Sequence, residues 1–265
     1  MPIVQVSSLD DPQLDIFRSL KKTNRTRHQA LFIAEGATVV ERLIAAGFQL
    51  HSLLVTPELA GDFVGRVSND VPVLVVAREL ATELVGYKFH LGVIAAAHRR
   101  PALQLGEMIT SDLGHGLVIL ADQVVDPENA GALIRIGSAF GAAAVVFGAG
   151  SVDPYSRRVI RVSTGHVFSQ PILEVADSEA AIESLRALGY SSVATALRHD
   201  TADLRTFSFP SKSVIVLGNE RHGLSPALQK HCDMCVTIPM YGNTDSLNLA
   251  VAAGIFAYQF RQQFP

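Results

Sequence analysis

The residue types that could do chemistry in this sequence stand in three polar segments, and the first has the spacing N-x-G-x-x-x-R. Its members are Asn129, Gly131 and Arg135. Asn129 can cap the helix that follows, and Arg135 comes about a turn and a half later, near enough to share a pocket with Asn129. An arginine near a helix start suits a phosphate or carboxylate ligand, because its planar fork donates two parallel hydrogen bonds. Taken alone, the segment is better explained as the start of a surface helix with an exposed arginine.

The other two segments lie further along the chain and are also polar and rich in glycine. The second begins with residues 218–220 (GNE), where a glycine lets the backbone approach a ligand closely and contact an adenine edge. The third runs from Pro239, which ends a strand because it lacks a hydrogen-bond donor, to residues 246–248 (SLN). Asp245 or Ser246 could cap the helix that follows. Taken alone, the second segment is typical of an ordinary strand-to-helix turn, and the third is typical of a capped helix with a packed Leu247.

The elements that must position the three segments are the strands of a parallel sheet. Buried strands are predicted from short apolar runs at residues 117–120, 144–147, 192–196, 214–217 and 235–238. Helices are predicted at about 130–140 and 246–262 from apolar residues at helical spacing. Strands that alternate with helices imply a parallel sheet covered on both faces. Because ligands bind beyond the carboxyl ends of such strands, we expect the three segments to meet at one edge.

The first part of the chain predicts a smaller α/β domain. Its strands are predicted at residues 31–34, 53–55, 73–76 and 92–97, with a helix at 37–46. That helix ends at Gly47, a plausible cap. Residues 99–116 hold a proline and several glycines, which is typical of a linker. The sequence therefore predicts two domains, residues 1–105 and residues 106–265.

Size and composition fit a two-domain protein with no membrane partner. The chain has 265 residues, of which 48% are hydrophobic, enough for a buried core. It has no uninterrupted apolar run of about 18 residues, so a membrane span is not expected. Residues 1–10 lack the basic start of a secretory signal. Because the chain has two cysteines and no disulfide framework, we expect a cytoplasmic protein.

The charge of the chain is slightly negative, but one basic cluster stands near its start. A net charge of −3 argues against a protein that coats nucleic acid indiscriminately, because such proteins carry a strong positive field. The cluster consists of Arg18, Lys21, Lys22, Arg25, Arg27 and His28. It is either a phosphate-binding surface or a solvated helix end and loop.

Two other motifs have weaker chemical interpretations. Cys232 and Cys235 form C-x-x-C, yet a structural zinc site needs two further ligands, and no thioredoxin-like pattern surrounds the pair. Cys235 leads into a buried strand, so we expect both thiols to be structural. Residues 148–150 (GAG) lack the third glycine of a dinucleotide loop and follow the second strand of their domain. A nicotinamide-dependent oxidoreductase is therefore not expected.

In this order, each after a strand, the segments resemble the three signature motifs of the SpoU (TrmH) family of RNA ribose 2′-O-methyltransferases, part of the SPOUT superfamily. The resemblance is dense from about Leu117 to Gln262. Residues 21–36, which end in FIAEG, look like the start of the family's RNA-binding extension, a domain similar to ribosomal protein L30e. The fold implied is α/β, with an N-terminal L30e-like domain and a C-terminal parallel-sheet domain that contains a deep trefoil knot.

The resemblance also implies which residues hold the methyl donor, S-adenosylmethionine, and which act on RNA. The donor would bind bent in the knot, at positions that match Thr195, Gly218, Ile238 and Leu247. The family's polar catalytic positions match Asn129, Arg135, Glu220, Ser246 and Asn248. RNA phosphates would be contacted by Lys21, Lys22, Arg25 and Arg27. No metal ion is implied.

The implied reaction is methyl transfer from S-adenosylmethionine to a ribose 2′-hydroxyl of RNA, by an enzyme that works as a homodimer. Ribosomal RNA of the 23S type is the expected substrate and tRNA is the alternative, whereas a catalytically inactive rRNA-binding protein is the alternative from another class. The sequence departs from the family pattern in two places: Arg221-His222 follows Glu220, and Arg161 stands where many relatives carry lysine. These departures leave the RNA target, and a role in antibiotic resistance, open.

The roles within the catalytic set also stay open. Arg135 either removes the hydroxyl proton or anchors the 3′-phosphate and stabilises the developing alkoxide. A base role demands strong perturbation, because arginine normally keeps its proton up to a pKa above ~12. Asn129 and Asn248 would orient the reacting group, and Ser246 would hydrogen-bond the ribose or Asn129. Glu220 could hold either Arg135 or a loop.

Overall fold

The computed structural model of the chain describes residues 3–20, 30–102, 104–108, 114–196, 201–242, 244 and 246–265. The chain divides into two compact units. The first comprises Met1–Pro101 and Tyr155–Phe168, and the second comprises Ala102–Pro154 and Ser169–Pro265. The first break therefore follows Pro101 rather than residue 105. Residues 155–168, which the sequence assigns to the second domain, instead pack with the first unit.

Strands and helices of the described residues are numbered along the chain. The strands are β1 (Ile3–Val6), β2 (Leu31–Glu35), β3 (Leu50–Val55), β4 (Val73–Val76), β5 (Val93–His98), β6 (Gly116–Ala121), β7 (Ala144–Phe147), β8 (Ile172–Glu174), β9 (Ser191–Thr195), β10 (Ala202–Asp203), β11 (Lys212–Leu217) and β12 (Met234–Thr237). The α-helices are α1 (Ala37–Ala45), α2 (Pro57–Phe63), α3 (Arg78–Val85), α4 (Leu105–Met108), α5 (Pro127–Ala139), α6 (Arg157–Val162), α7 (Ser178–Ala187), α8 (Pro226–His231) and α9 (Leu249–Gln263). Short 3-10 helices span Pro12–Phe17 and His166–Phe168.

The first unit is built on a sheet whose order, over the described residues, is β1-β4-β3-β5-β2. β1, β4 and β3 run parallel, whereas β5 is antiparallel to both β3 and β2. The helix α6 packs against β2. The rings of Tyr155 and Phe168 lie 5.3 and 5.6 Å from the ring of Phe32, between centroids. This aromatic contact explains why residues 155–168 belong to the first unit.

The second unit is built on a sheet whose order, over the described residues, is β10-β12-β9-β11-β6-β7-β8, with every neighbouring pair parallel. β6 and β11 pair in register, with Val118 opposite Val214, and every residue of β6 is buried. Burial on both faces is why these strands appear in the sequence as continuous apolar runs. The predicted α/β fold with a parallel sheet is confirmed. The five predicted strands of this half are β6, β7, β9, β11 and β12.

The helix α5 begins earlier than predicted and has a different cap. It starts at Pro127, and its N-cap is Asp126, whose carboxylate accepts the N–H of Glu128 at 2.9 Å. Proline suits a first helical position because the N–H it lacks would have no partner within the helix. Asn129 therefore lies buried in the first turn, and its predicted capping role is wrong.

The helix α9 begins later than predicted. It starts at Leu249, and its N-cap is Asn248, whose side-chain oxygen accepts the N–H of Ala250 at 2.9 Å. The prediction that Ser246 caps this helix is therefore wrong, and the alternative cap, Asp245, lies outside the described residues. Among those described, no helix, α9 included, has the length and apolar character needed to cross a membrane.

The two cysteines are free thiols that pack against the hydrophobic core of the second unit. Burial raises the pKa of Cys232 to about 12. Because the thiolate is the reactive form of cysteine, Cys232 is a poor nucleophile and a poor metal ligand at neutral pH. A packing role for the pair fits this environment.

A polar network ties the start of β9 to the turn before β12. The backbone N–H and the hydroxyl of Ser192 each donate to Oδ2 of Asp233 at 2.7 Å. Arg186 donates to Oδ1 of Asp233 through Nη2 and Nε, at 2.9 and 3.1 Å. Burial by itself would raise the pKa of Asp233, but these hydrogen bonds and the positive charge of Arg186 hold it below the ordinary value.

We expect Asp233→Asn to lower the free energy of unfolding by about 1–3 kcal/mol near neutral pH, because hydrogen bonds to a charged acceptor are lost. The native pKa of Asp233 lies below its unfolded value of about 3.9, so its contribution is complete above that value. The contribution is lost as the pH falls through the depressed native pKa. Urea unfolding near neutral pH and at acid pH should show the deficit shrinking in acid. The exposed Asp62→Asn is the control, and an equal deficit at both pH values would contradict the assignment.

Candidate functional site

A cavity opens at the carboxyl ends of β9, β11 and β12, next to the start of α9. Its lining includes all four residues predicted to hold the methyl donor, Thr195, Gly218, Ile238 and Leu247. Apolar residues of α9 complete the lining at Leu249, Ala252 and Phe256. Backbone groups of two loops and apolar side chains of a helix therefore face one space.

A chain of hydrogen bonds joins the three polar segments next to this cavity. Nδ2 of Asn248 donates to Oδ1 of Asn129 at 2.9 Å, and Nδ2 of Asn129 donates to Oε1 of Glu220 at 3.2 Å. The Glu220 carboxylate also accepts the backbone N–H groups of Asp126 and Val125, at 3.0 and 3.3 Å. The three segments thus meet at one edge of the sheet, as the strand pattern predicts.

The environment of Glu220 favours its ionised form. Burial by itself would raise its pKa, but hydrogen bonds from the N–H of Asp126, from Asn129 and from the N–H of Val125 stabilise the carboxylate. They hold the pKa below the ordinary value. Of the two partners considered from the sequence, a loop or Arg135, the structure gives Glu220 the loop before α5.

Gly218 is required by its own loop. Asn219 and Gly223 exchange backbone hydrogen bonds at 3.1 and 2.8 Å, so the chain folds back on itself. A Cβ at Gly218 would lie 2.3 Å from the backbone of Gly223 and 2.3 Å from the backbone nitrogen of Leu224. The predicted reason for this glycine, close approach to a ligand, is therefore incomplete, because the glycine first lets the chain approach itself.

Sequence reasoning missed Asn219, which shapes the same loop. Its Oδ1 accepts the N–H groups of Arg221 and His222 at 2.9 and 3.3 Å, and its Nδ2 donates to the carbonyl of Gln123 at 2.9 Å. Asparagine at the start of a tight turn is a recognisable signal of such bonding. As a result, Arg221 and His222 line the cavity and are exposed.

Arg135 does not share the cavity of this chain. It is exposed, does not line the cavity, and forms no hydrogen bond or ion pair with any residue that the structure describes. It follows Asn129 by six residues, which places the two side chains about 120° apart around α5 and about 9 Å apart along it. The expectation that Arg135 and Asn129 share a pocket is therefore wrong within one chain.

The remaining predicted residues fall into two groups. Ser246 lines the cavity and is exposed. The predicted RNA contacts Lys21, Lys22, Arg25 and Arg27 lie outside the described residues.

The fold and the site define an α/β protein with a ligand cavity at the carboxyl edge of its sheet and a fixed polar chain beside it. Residues 116–258 match the SpoU rRNA Methylase family. An uncharacterized tRNA/rRNA methyltransferase of Mycobacterium bovis is 33% identical over 98% of this chain and 92% of its own length. The chain therefore belongs to the SpoU rRNA methylase family.

Two further similarities carry information about activity. The 23S rRNA (guanosine-2′-O-)-methyltransferase RlmB of Acinetobacter baylyi is 33% identical over 71% of this chain and 77% of its own. The crystal structure of an AdoMet-bound rRNA methyltransferase from Sinorhizobium meliloti superposes with a TM-score of 0.88. That protein is 28% identical, and the match covers 99% of both chains.

Proposed function

We propose that this protein transfers a methyl group from S-adenosylmethionine to a ribose 2′-hydroxyl of ribosomal RNA of the 23S type. The observation that carries the proposal is the hydrogen-bonded chain Asn248–Asn129–Glu220 beside a cavity lined by Gly218 and Ile238. The similarity to an rRNA 2′-O-methyltransferase and to an AdoMet-bound rRNA methyltransferase supports both substrate and donor. From a ribosomal substrate we also infer that the protein acts in the cytoplasm.

The cavity suits S-adenosylmethionine. The apolar side chains of Ile238, Leu247 and Phe256 line the same space as the backbone of Gly218, so an adenine ring and polar groups can both be accommodated. Since a side chain at position 218 has no room, only backbone approaches the ligand there. When bound, the donor supplies a methyl group on a sulfonium, from which a neutral thioether departs as a good leaving group.

The residues of the chain must position the ribose hydroxyl and help to remove its proton, because a protonated hydroxyl is a poor nucleophile. Asn129, Glu220 and Asn248 are bonded to one another, so they hold the segments in place. Ser246 and Arg135 remain to meet the RNA. We propose that Ser246, which lines the cavity, contacts the ribose. Arg135, which is exposed and outside the cavity of its own chain, would contact a neighbouring phosphate at the cavity of a second subunit.

The finer features of the fold belong to the same proposal. We infer that the first unit is an L30e-like RNA-binding domain and that Lys21, Lys22, Arg25 and Arg27 contact phosphates. We also infer that the second unit contains a trefoil knot. Its support is that β12 and α9, the last strand and helix of the described residues, lie at the edge where the ends of β9 and β11 line the cavity.

A homodimer is the proposed assembly, and the exposed face of α9 supports it. Val251, Ile255 and Tyr258 are 52%, 37% and 55% exposed and follow one another at helical spacing. Phe256 and Phe260 of the same helix are instead buried in the chain itself, and Leu249 and Ala252 line the cavity. An apolar stripe of this kind is typical of a subunit contact.

We expect Ile255→Lys to convert a dimer into a monomer, because a charge would be buried at the contact. Light scattering at micromolar concentration measures the mass of both proteins. Lys230→Glu, a charge change on α8, is the control and should leave the mass unchanged. A wild-type protein that is already monomeric would contradict the assembly.

The reaction itself is tested with purified protein, S-adenosylmethionine carrying a labelled methyl group, and ribosomal RNA from cells that lack the gene. We expect label in ribosomal RNA at a 2′-O position that is unmodified in those cells. Label in tRNA alone would identify tRNA as the substrate instead of ribosomal RNA. Donor binding by calorimetry without transfer to either RNA would favour an inactive RNA-binding protein.

A further inference from the structure

Tyr241 is the most exposed large hydrophobic side chain among the described residues, at 79%. It directly follows Met240, which lines the cavity, so it stands in the loop that forms the cavity rim. Neither core packing nor the hydrogen-bonded chain of the site uses this ring. A large aromatic side chain kept in solvent beside a ligand cavity therefore requires its own explanation.

The ring of Tyr241 is held in place by Arg205. β10 and β12 are parallel neighbours, with Asp203 opposite Thr237, so the residues after both strands emerge at the same edge of the sheet. Nη1 of Arg205 donates to the hydroxyl of Tyr241, and the guanidinium carbon lies 5.9 Å from the ring centroid. A side chain so exposed would otherwise be free to rotate.

Arg205 is in turn fixed by Asp203. Its Nε lies 3.1 and 3.0 Å from the two carboxylate oxygens of Asp203, and its Nη2 lies 2.5 Å from Oδ2. The same hydrogen bonds hold the pKa of Asp203 below its ordinary value. Because the carboxylate neutralises the guanidinium, Arg205 is poorly suited to anchor a phosphate. The planar guanidinium of Arg205 therefore lies beside the planar ring of Tyr241 and holds its orientation.

We propose that Tyr241, steadied by Arg205, is a stacking platform for an unpaired base of the RNA substrate at the cavity mouth. Proteins that bind single-stranded RNA stack its bases on aromatic rings and on arginine planes. Stacking requires a flat face that is open to solvent and a ring that is already oriented, and Tyr241 has both. The inference rests on the proposed function and adds that the target nucleotide, or a neighbour, is unpaired.

The chain contains no tryptophan, which allows a direct optical test. Tyr241→Trp introduces the sole indole of the protein, and a short single-stranded RNA should quench its fluorescence as a base stacks on it. Lys230→Trp places a sole indole at an exposed position of α8, outside the proposed subunit contact, and should not respond to RNA. Equal quenching at both positions, or none at position 241, would overturn the proposal. Quenching at position 241 by S-adenosylmethionine alone would assign the ring to the donor instead.

An affinity series with the same RNA separates stacking from other roles. We expect Tyr241→Ala and Tyr241→Leu to weaken RNA binding roughly 5- to 150-fold, the cost of losing one base–aromatic stack, and Tyr241→Phe to keep most of the affinity. Arg205→Gln should weaken binding less. Its control is Arg66→Gln, an arginine of the first unit that pairs with Glu41 and lies 5.9 Å from the ring of Phe63.

Two readouts keep this inference distinct from the proposed function. Donor affinity, measured by calorimetry, and oligomeric mass should be unchanged in Tyr241→Ala. A loss of either would make Tyr241 a cavity or subunit residue and overturn the platform. If the wild-type protein methylates RNA and Tyr241→Ala binds and methylates it equally well, the platform alone is wrong. If the wild type methylates no RNA, the proposed function is wrong, whatever the result of the fluorescence experiment.

Discussion

Glu220→Gln should lower methyl transfer roughly 100-fold, the cost expected when reacting groups are displaced by ~1 Å. The glutamate carboxylate accepts hydrogen bonds from Asn129 and from the backbone N–H groups of Asp126 and Val125. Glutamine has the same shape, but one of its two terminal atoms is an NH2 group, which cannot accept a hydrogen bond. At least one of the N–H groups that Glu220 binds would therefore face another donor. The loop before α5 and the second segment would therefore separate, although no side chain becomes larger or smaller.

The pH dependence of the wild type follows from the same contacts. Because the native pKa of Glu220 is depressed, the carboxylate is present at neutral pH. Its hydrogen bonds are lost only as the pH falls through that lowered value.

The effect of Glu220→Gln is measured as the initial rate of methyl transfer with saturating donor. Glu79→Gln, an exposed glutamate of α3, is the control and should keep full activity. A Glu220→Gln enzyme with normal rates would show that the hydrogen bonds of the Glu220 carboxylate have no part in the reaction.

The meeting of the three segments could be predicted because it depends on strand direction alone. Apolar runs identify the buried strands, and in a parallel sheet the residues that follow them emerge at one edge. That rule places Gly218 and Ile238 at the cavity before any distance is known. The hydrogen bonds between Asn248, Asn129 and Glu220 are consequences of the same edge.

Other features could not be predicted because they depend on contacts between distant parts of the chain. The aromatic rings of Tyr155 and Phe168 are placed in the first unit by Phe32, and nothing in their local sequence identifies that partner. The strands β1, β8 and β10 lie at sheet edges and are short, so their apolar pattern is weak. The turn made by Asn219 has a local signal, but the exposure of Arg221 that results from it has none.

Arg135→Ala is expected to abolish methyl transfer while leaving the folded chain and donor binding nearly intact. The side chain is exposed and bonded to no residue in the described part of the chain, so its removal leaves neither a cavity nor an unpaired charge. It does not line the donor cavity, so the donor affinity measured by calorimetry should not change. A large loss of Tm or of donor affinity would instead give Arg135 a structural role.

Arg135→Lys separates the two chemical roles. Lysine keeps the positive charge but lacks the planar fork, and it gives up a proton more readily. If Arg135 anchors a phosphate by two parallel hydrogen bonds, the lysine variant should be nearly as inactive as the alanine variant. Substantial activity with a pH profile that follows a lysine pKa would support the general-base role. The exposure of Arg135 leads us to expect the first result.

The position of Arg135 also predicts which subunit uses it. Arg135 is exposed on α5, α5 packs against α9, and α9 carries the apolar stripe of the proposed dimer. A second subunit seated on that stripe would bring its own cavity towards Arg135, which the cavity of the same chain does not include. Mixed dimers of Arg135→Ala with Glu220→Gln should therefore regain activity, since one of their two sites combines an intact arginine with an intact glutamate. Mixed dimers as inactive as either parent would mean that Arg135 serves its own chain. Normal methylation by Arg135→Ala alone would place the catalytic group elsewhere, and the remaining side chain of the predicted set that is free to meet the ribose is Ser246.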